Sequence, residues 1–291
     1  MGKTENKILR GLVFDDEVSL AVLDTTELVN EAIRIHNLSP LAAAALGRTL
    51  TVAAYMCSSL KSENAALSVN IRGDGVGGPI CVSGDKDLHM RGTIEDPRLF
   101  FPNEAGKLDV EAASGARIPE RRPQRRRGSA FRGTTELISG EIGEDFAAYF
   151  AFSEQIPTAI AVGVKVGKRR DLSGCGRRDL AAASWRERRK YPQNRRDHGK
   201  FPQRQLARGT GFRRRDRGKI FRECQILHIK PEYKCNCSRN YIEGVLLSMG
   251  EKELMDALEE EGKICVHCHY CNTDYVFSAE DVEKLLAGAR T

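Results

Sequence analysis

The chain has 291 residues with 46 Lys or Arg, 40 Asp or Glu and a formal net charge of +6, which leaves room for one large or two modest domains. Met1–Lys7 leads into no apolar run long enough for a secretory leader, and no stretch is expected to span a membrane, so the expected setting is the reducing cytoplasm. In that compartment the nine cysteines read as metal ligands or redox sensors rather than structural disulfides.

Between Lys7 and Thr25 the apolar clusters Ile8-Leu9 and Val18–Leu23 fit short strands around an acidic turn at Asp15-Asp16. Thr26–Leu60 has a helical pattern, with Leu28, Ala32, Ile33 and Ile35 in its first stretch and Ser39-Pro40 as a start signal for the second. Leu41–Leu60 is so rich in Ala and Leu that it predicts a buried core helix, and Arg48 within it argues against a membrane span. Leu67–Arg72 alternates with period two and predicts a strand. Turns follow at Gly73-Asp74-Gly75 and Gly77-Gly78-Pro79, then strands at Ile80-Cys81-Val82 and up to His89-Met90-Arg91-Gly92. The Gly-rich stretch lacks a following Gly-Lys-Ser/Thr and opens into a strand rather than a helix, which argues against a phosphate cradle. Glu136–Ile138 predicts a strand, followed by an acidic helix with Phe146, Tyr149 and Phe150 on its apolar side. Thr158–Val166 predicts a buried strand. Helices and antiparallel strands without a βαβ repeat define an α+β domain.

Two windows break this order. Arg117–Arg132 holds seven basic residues and one acidic, and Lys165–Arg222 holds twenty-one basic and five acidic. Together they carry +22, leaving the remainder of the chain at −16. Both lack helix and strand periodicity, are dense in Arg, Gly, Gln and Pro, and begin and end abruptly. Arg121–Arg127 and Trp185–Lys190 read as a GC-rich gene translated out of frame. Restored apolar periodicity in another frame of the nucleotide sequence is the test. A nucleic-acid-binding arm and a solvated disordered stretch are the other readings. The charge is therefore weak support for a nucleic-acid partner.

The last part, about Ile229–Thr291, reads as a separate small module. Ser248-Met249-Gly250-Glu251 has the spacing of a capping box. Leu254, Met255, Leu258 and, further on, Ile264 supply an apolar face for the helix after it. Thr273–Phe277 predicts a strand, and Ser278 opens a final helix carrying Val282, Leu285 and Leu286. So short a module has little core, so a metal must contribute much of its folding energy.

The metal signal lies here: Cys235-Asn236-Cys237, then, thirty residues on, Cys268-His269-Tyr270-Cys271. Two cysteine pairs joined by a loop supply the four soft ligands of a zinc tetrahedron. The first pair has only one residue between its sulfurs, which can ligate a metal and can also be oxidised when the metal leaves. A permanent structural zinc site is the plainer alternative. Cys265-Val266-His267-Cys268 is also a CxxC, and His267 or His269 could ligate, so spacing alone leaves the ligand set open. His36 and His89 stand alone, without a nucleophile–base pairing, and read as structural.

Tyr233-Lys234-Cys235-Asn236-Cys237-Ser238-Arg239 and His267-Cys268-His269-Tyr270-Cys271, followed by Tyr275-Val276-Phe277, resemble the two cysteine motifs of the thirty-three-kilodalton heat-shock protein family of bacteria. Arg72-Gly73-Asp74-Gly75, Met90-Arg91-Gly92 and the stretch from Ser139-Gly140-Glu141 to Ile156-Pro157-Thr158 extend the likeness. It covers most of residues 1–110, 134–166 and 224–291 and breaks at the two basic windows. The resemblance implies a redox-regulated, ATP-independent holdase chaperone that binds unfolding client proteins, and no enzyme. It implies one Zn2+ held by Cys235, Cys237, Cys268 and Cys271 in the reduced, inactive state, with Cys265 a bystander. On oxidation it implies disulfides Cys235–Cys237 and Cys268–Cys271, release of zinc, unfolding of the C-terminal module and a homodimer. The expected organisation is an N-terminal domain of antiparallel sheets and helices for client binding and dimerisation over 1–166, with 116–133 aberrant. A linker follows over 167–228, helical in the family and Arg-rich here, then a zinc-binding redox-switch domain over 229–291. Two further classes remain. A zinc-ribbon protein binding nucleic acid through the Arg-rich windows is the alternative. A disulfide oxidoreductase would want a CxxC at a helix N-terminus in a βαβ setting, which the sequence lacks.

Overall fold

The computed structural model describes residues 8–13, 18–73, 75–99, 135–164, 180–185, 225–227 and 230–289. The Asp15-Asp16 turn, the window at 116–133, most of the window at 167–222, and Cys175 and Cys224 lie outside them. The chain divides into two compact units, Met1–Tyr233 and Lys234–Thr291.

In the first unit β1 (Ile8–Val13) and β2 (Val18–Leu23) pair antiparallel, from Ile8 opposite Leu23 to Val13 opposite Val18. Helix α1 (Thr26–His36) buries Leu28, Val29, Ala32 and Ile33, the stripe that a 3.6-residue period sets on one side. Asn37, at φ 50, ends it by donating its backbone N–H to Ile33 O. Helix α2 (Pro40–Cys57) starts on Ser39, whose Oγ accepts the N–H of Ala42 while Pro40 occupies the first turn.

Strands β3 (Ala66–Ile71), β4 (Ile80–Asp85) and β5 (His89–Ile94) form a meander, and β9 (Glu232–Tyr233) adds to β5 in parallel, giving the order β3-β4-β5-β9. That parallel pair is the one departure from the antiparallel expectation among the described strands. Helix α2 lies directly on this sheet. A Cβ at Gly92 would come within 3.0–3.2 Å of Val82 Cγ2, Leu46 Cδ1 and Leu50 Cδ2, so the glycine sets the approach.

Helix α3 (Ile142–Phe152) and β6 (Thr158–Ala161) follow. The second sheet has the order β6-β7-β2-β1-β8, with β7 (Leu180–Trp185) and β8 (Gln225–Leu227). By length and composition α2 could cross a membrane, but 78% of it is buried inside the protein, and Arg48 is ion-paired to Glu141 at 2.6 Å. It is the core helix the sequence predicts.

Three expectations need correction here. Glu136–Ile138 is not a strand, because Asp145 Oδ1 accepts the backbone N–H of Ile138 (2.7 Å) and of Ser139 (3.0 Å), taking the donors a ladder would use. Of the strand expected over Thr158–Val166, the described residues, which end at Val164, form only Thr158–Ala161, and it is half-buried. The second basic window lacks strand periodicity, yet Leu180–Trp185 pairs with both β2 and β6. Those six residues are the longest uncharged run in that window.

Candidate metal centre

The second unit is assembled from short pieces whose ends are tied. Ser238 caps α4 (Arg239–Met249), its Oγ accepting the N–H of Tyr241 at 3.1 Å. Gly250, at φ 102, breaks the chain between α4 and α5 (Glu251–Glu261), a conformation that glycine tolerates and side-chain-bearing residues rarely adopt. Strands β10 (Lys263–Cys268) and β11 (Thr273–Ser278) form an antiparallel hairpin with Cys268 opposite Thr273. Ser278 and Asp281 then cap α6 (Ala279–Ala289) reciprocally, through Ser278 N–H to Asp281 Oδ2 and Asp281 N–H to Ser278 Oγ. Ile242, Leu246, Leu254, Leu258, Phe277 and Val282 make the core. Arg239, two residues after Cys237, stacks its guanidinium 4.3 Å over the Phe277 ring, donates to Val276 O and pairs with Asp281 at 3.1 Å.

This differs from the sequence reading in detail. Ser248 caps no helix. It sits in the last turn of α4 and donates to Val245 O, while α5 starts on Gly250 without a side-chain cap. Ile264 is a β10 residue packed on the same core, and Met255 is 37% exposed.

The hairpin and the capped α4 bring four sulfurs to one point. Cys235 and Cys237 lie on the extended stretch ahead of α4, Cys268 ends β10 and Cys271 lies in the turn. Their ligand atoms all fall within 4.8 Å of one another. The separations are 3.2 Å for Cys235–Cys237, 3.7 Å for Cys235–Cys268 and 3.2 Å for Cys237–Cys271, and all four are free thiols. Zinc–sulfur bonds of about 2.3 Å give a tetrahedron edge of about 3.8 Å, so a small adjustment fits this donor set to zinc. Cys265 is exposed and outside the cluster, because the two-residue period of β10 turns it away from Cys268. His267 turns to Asp274, Nδ1 to Oδ1 at 2.6 Å, and His269 packs edge-on to His267.

Burial pushes the Cys235 thiol up, and the neighbouring sulfurs of Cys237 and Cys268 push the same way. A bound dication would offset that push and favour the thiolate form of its ligands. Tyr275 donates its Oη–H to Cys237 Sγ at 3.2 Å, and its own ionisation is pushed up to about 12, first by that hydrogen bond. Sequence reasoning placed Tyr275 on a strand but missed this contact. The only hint was that it lies two residues from both Thr273 and Phe277, on one face of the strand.

Neither histidine that the sequence left alone is unpartnered. His36 Nε2 meets Tyr233 Oη at 2.9 Å, and Tyr233 Oη also donates to Gly92 O at 2.8 Å. His89 Nδ1 meets Asp85 Oδ2 at 3.1 Å. Asp85, Asp87 and His89 form a second group with metal-ligand spacing, but Asp85 already accepts the N–H groups of Asp87 and His89, and Lys86 pairs with Asp87. The group is the hydrogen-bonded turn of the β4–β5 hairpin.

The Hsp33 protein family matches residues 6–278. The 33 kDa chaperonin of Ruminiclostridium cellulolyticum is 35% identical over 90% of this chain and 91% of its own length. That of Acetivibrio thermocellus is 32% identical over 97% of each chain. The crystal structure of the 33 kDa chaperonin (heat shock protein 33 homolog) of Thermotoga maritima matches with a TM-score of 0.77 and 31% identity, covering 99% of both chains. The chain belongs to the Hsp33 family, a family of chaperones. Membership does not favour the zinc-ribbon, nucleic-acid reading.

Proposed function

We propose that the chain is a redox-regulated, ATP-independent holdase that captures unfolding proteins under oxidative stress in the cytoplasm and is not an enzyme. The observation that carries this reading is the convergence of Cys235, Cys237, Cys268 and Cys271 within 4.8 Å in a unit with a small core. In the reduced state these four sulfurs would hold one zinc ion, whose charge keeps them as thiolates, the form that reacts with oxidants. A peroxide supplies the oxidation. A thiolate attacks one peroxide oxygen, the O–O bond breaks, hydroxide leaves and the sulfur becomes a sulfenic acid. A second thiolate then attacks that sulfur, the S–S bond forms and a second hydroxide leaves, so each disulfide consumes one peroxide. Pairing as Cys235–Cys237 and Cys268–Cys271 follows from the family resemblance. Cys237 lies equally near Cys235 and Cys271, so distance alone does not choose.

Loss of the metal removes the cross-link that closes the second unit, which then unfolds. The linker over 167–228 would lose its packing partner and expose apolar surface to clients, with the oxidised form a homodimer. In this reading residues 1–166 bind clients and dimerise, 167–228 act as linker and 229–291 as switch. The basic window in that linker departs from the family pattern, so some activity is expected to persist in the reduced protein. Light scattering from a heat-unfolding client tests the account, with reduced zinc-loaded protein in one arm and peroxide-treated protein in the other. Strong suppression in the oxidised arm and weak suppression in the reduced arm is the expected result. Equal suppression in both arms means that the switch stands open. No suppression in either arm contradicts the holdase reading.

A further inference from the structure

The four sulfurs are not equivalent. Tyr275 Oη–H donates to Cys237 Sγ at 3.2 Å. Thr273, on the same face of β11, has its Oγ1 3.3 Å from Cys271 Sγ, and once that sulfur is a thiolate the hydroxyl is the only donor in the contact. Cys235 and Cys268 contact other sulfurs, Cys235 also accepts the backbone N–H of Cys237, and among the described residues neither has a hydroxyl partner. The Tyr275 ring is held in place by the strand: Val266 faces it across the ladder, and Phe277, buried, is the next residue on its side.

We propose that Tyr275 is a positioning residue that restrains oxidation of Cys237, its hydroxyl stabilising the sulfur charge that attack on a peroxide draws away. The inference rests on the metal-centre reading above and concerns the rate at one sulfur within it. A hydrogen bond donated to a thiolate stabilises the charge-bearing ground state and is weakened as sulfur donates its electron pair to peroxide oxygen. The sulfenic acid that results no longer carries that charge. Tyr275 therefore acts on the first step, before any disulfide forms; Cys235, paired with Cys237 in the reading above, follows it, while Cys268 and Cys271 keep their own rates.

The test uses full-length, reduced, zinc-loaded wild type, Tyr275→Phe and Thr273→Val. Hydrogen peroxide is added, zinc release is followed with a metallochromic chelator, and timed alkylation with peptide mass spectrometry reports the oxidised fraction of each cysteine. Tyr275→Phe keeps the ring and is expected to speed oxidation of Cys237 by roughly three- to tenfold, the scale of one net hydrogen bond, because the bond is weakened rather than lost as sulfur attacks. Thr273→Val should leave Cys237 at its wild-type rate. An unchanged Cys237 rate in Tyr275→Phe overturns the inference, and so does equal acceleration at all four cysteines, which would mean only a loosened unit. If wild type binds no zinc, the metal reading falls, and the Cys237 rate under peroxide still decides the role of Tyr275 by the same criterion.

Discussion

Among the described residues of the first unit, 28 buried apolar ones form one continuous core, with α2 between α1, α3 and the β3–β5 meander. In the 58-residue second unit six buried side chains must hold three helices and a hairpin. The first unit is stabilised by burial spread over many contacts, so no single group decides its fate. The second concentrates its stability at the ends of its elements: two serine caps, the Arg239 clamp on Phe277 and Asp281, and four sulfurs at one point. A fold held at a few points fails as a whole when one of them is altered, and that property is what a switch needs.

The largest expected effect comes from removing the cross-link. Cys235→Ser with Cys271→Ser, or chelation of the wild type, is expected to remove on the order of 10 kcal/mol of metal-linked folding energy from the second unit. Far-UV circular dichroism should then show loss of α4–α6 while the main cooperative transition of the first unit is kept. Loss of both transitions together would erase the contrast. A smaller effect sharpens it. Phe277→Ala should cost about 3–5 kcal/mol, and Leu46→Ala about 2–5 kcal/mol, as large-to-small changes at buried sites. The similar local costs should have different consequences. Phe277→Ala removes a core member and the platform for Arg239, so zinc affinity should fall in a competition titration. Leu46→Ala should leave zinc affinity unchanged and lower only the first thermal transition.

The smallest effect is in acid. Burial pushes the Asp85 carboxyl up, but hydrogen bonds from His89 and Asp87 outweigh it and hold the carboxyl below its usual value. Hydrogen bonds from the Ser278 amide and hydroxyl hold Asp281 below its usual value too. A carboxyl with a lowered folded value stabilises the fold above its unfolded value near 3.8 and loses that contribution as pH falls through the folded value. Both hairpin and cap should therefore weaken only below about pH 4. Asp85→Asn should flatten that part of the stability–pH profile for the first unit, at about 1 kcal/mol near neutrality.

Much of this was legible in the chain. Ser39-Pro40 and the Ala-rich run announce α2, because a cap and a fixed φ act locally and a helix apolar on all sides must be buried. The cysteine spacing announces a four-sulfur site, because the metal dictates its own donor set. What was not legible depends on partners distant in sequence. Leu180–Trp185 is a strand because β2 and β6 flank it, although charged sequence surrounds it. Glu136–Ile138 has strand-like composition, but Asp145 removes its backbone donors. The Ser248–Glu251 signature marks the right place for a boundary and the wrong cause, since Gly250 at φ 102 makes the break. Helix α4, with Ile242, Leu246 and the Ser238 cap, was readable by period and cap but lay in the shadow of the cysteine motif. No spacing rule would have found the Tyr275 hydroxyl on Cys237.

The central claim is that oxidation of the four cysteines unfolds the second unit and spares the first. Hydrogen–deuterium exchange with peptide resolution, on reduced zinc-loaded and peroxide-treated protein, tests it most directly. The account predicts that amides of α4, α5, β10, β11 and α6 lose protection on oxidation while those of α2 and β3–β5 keep theirs. Unchanged protection across residues 234–289 in oxidised, zinc-free protein would contradict it.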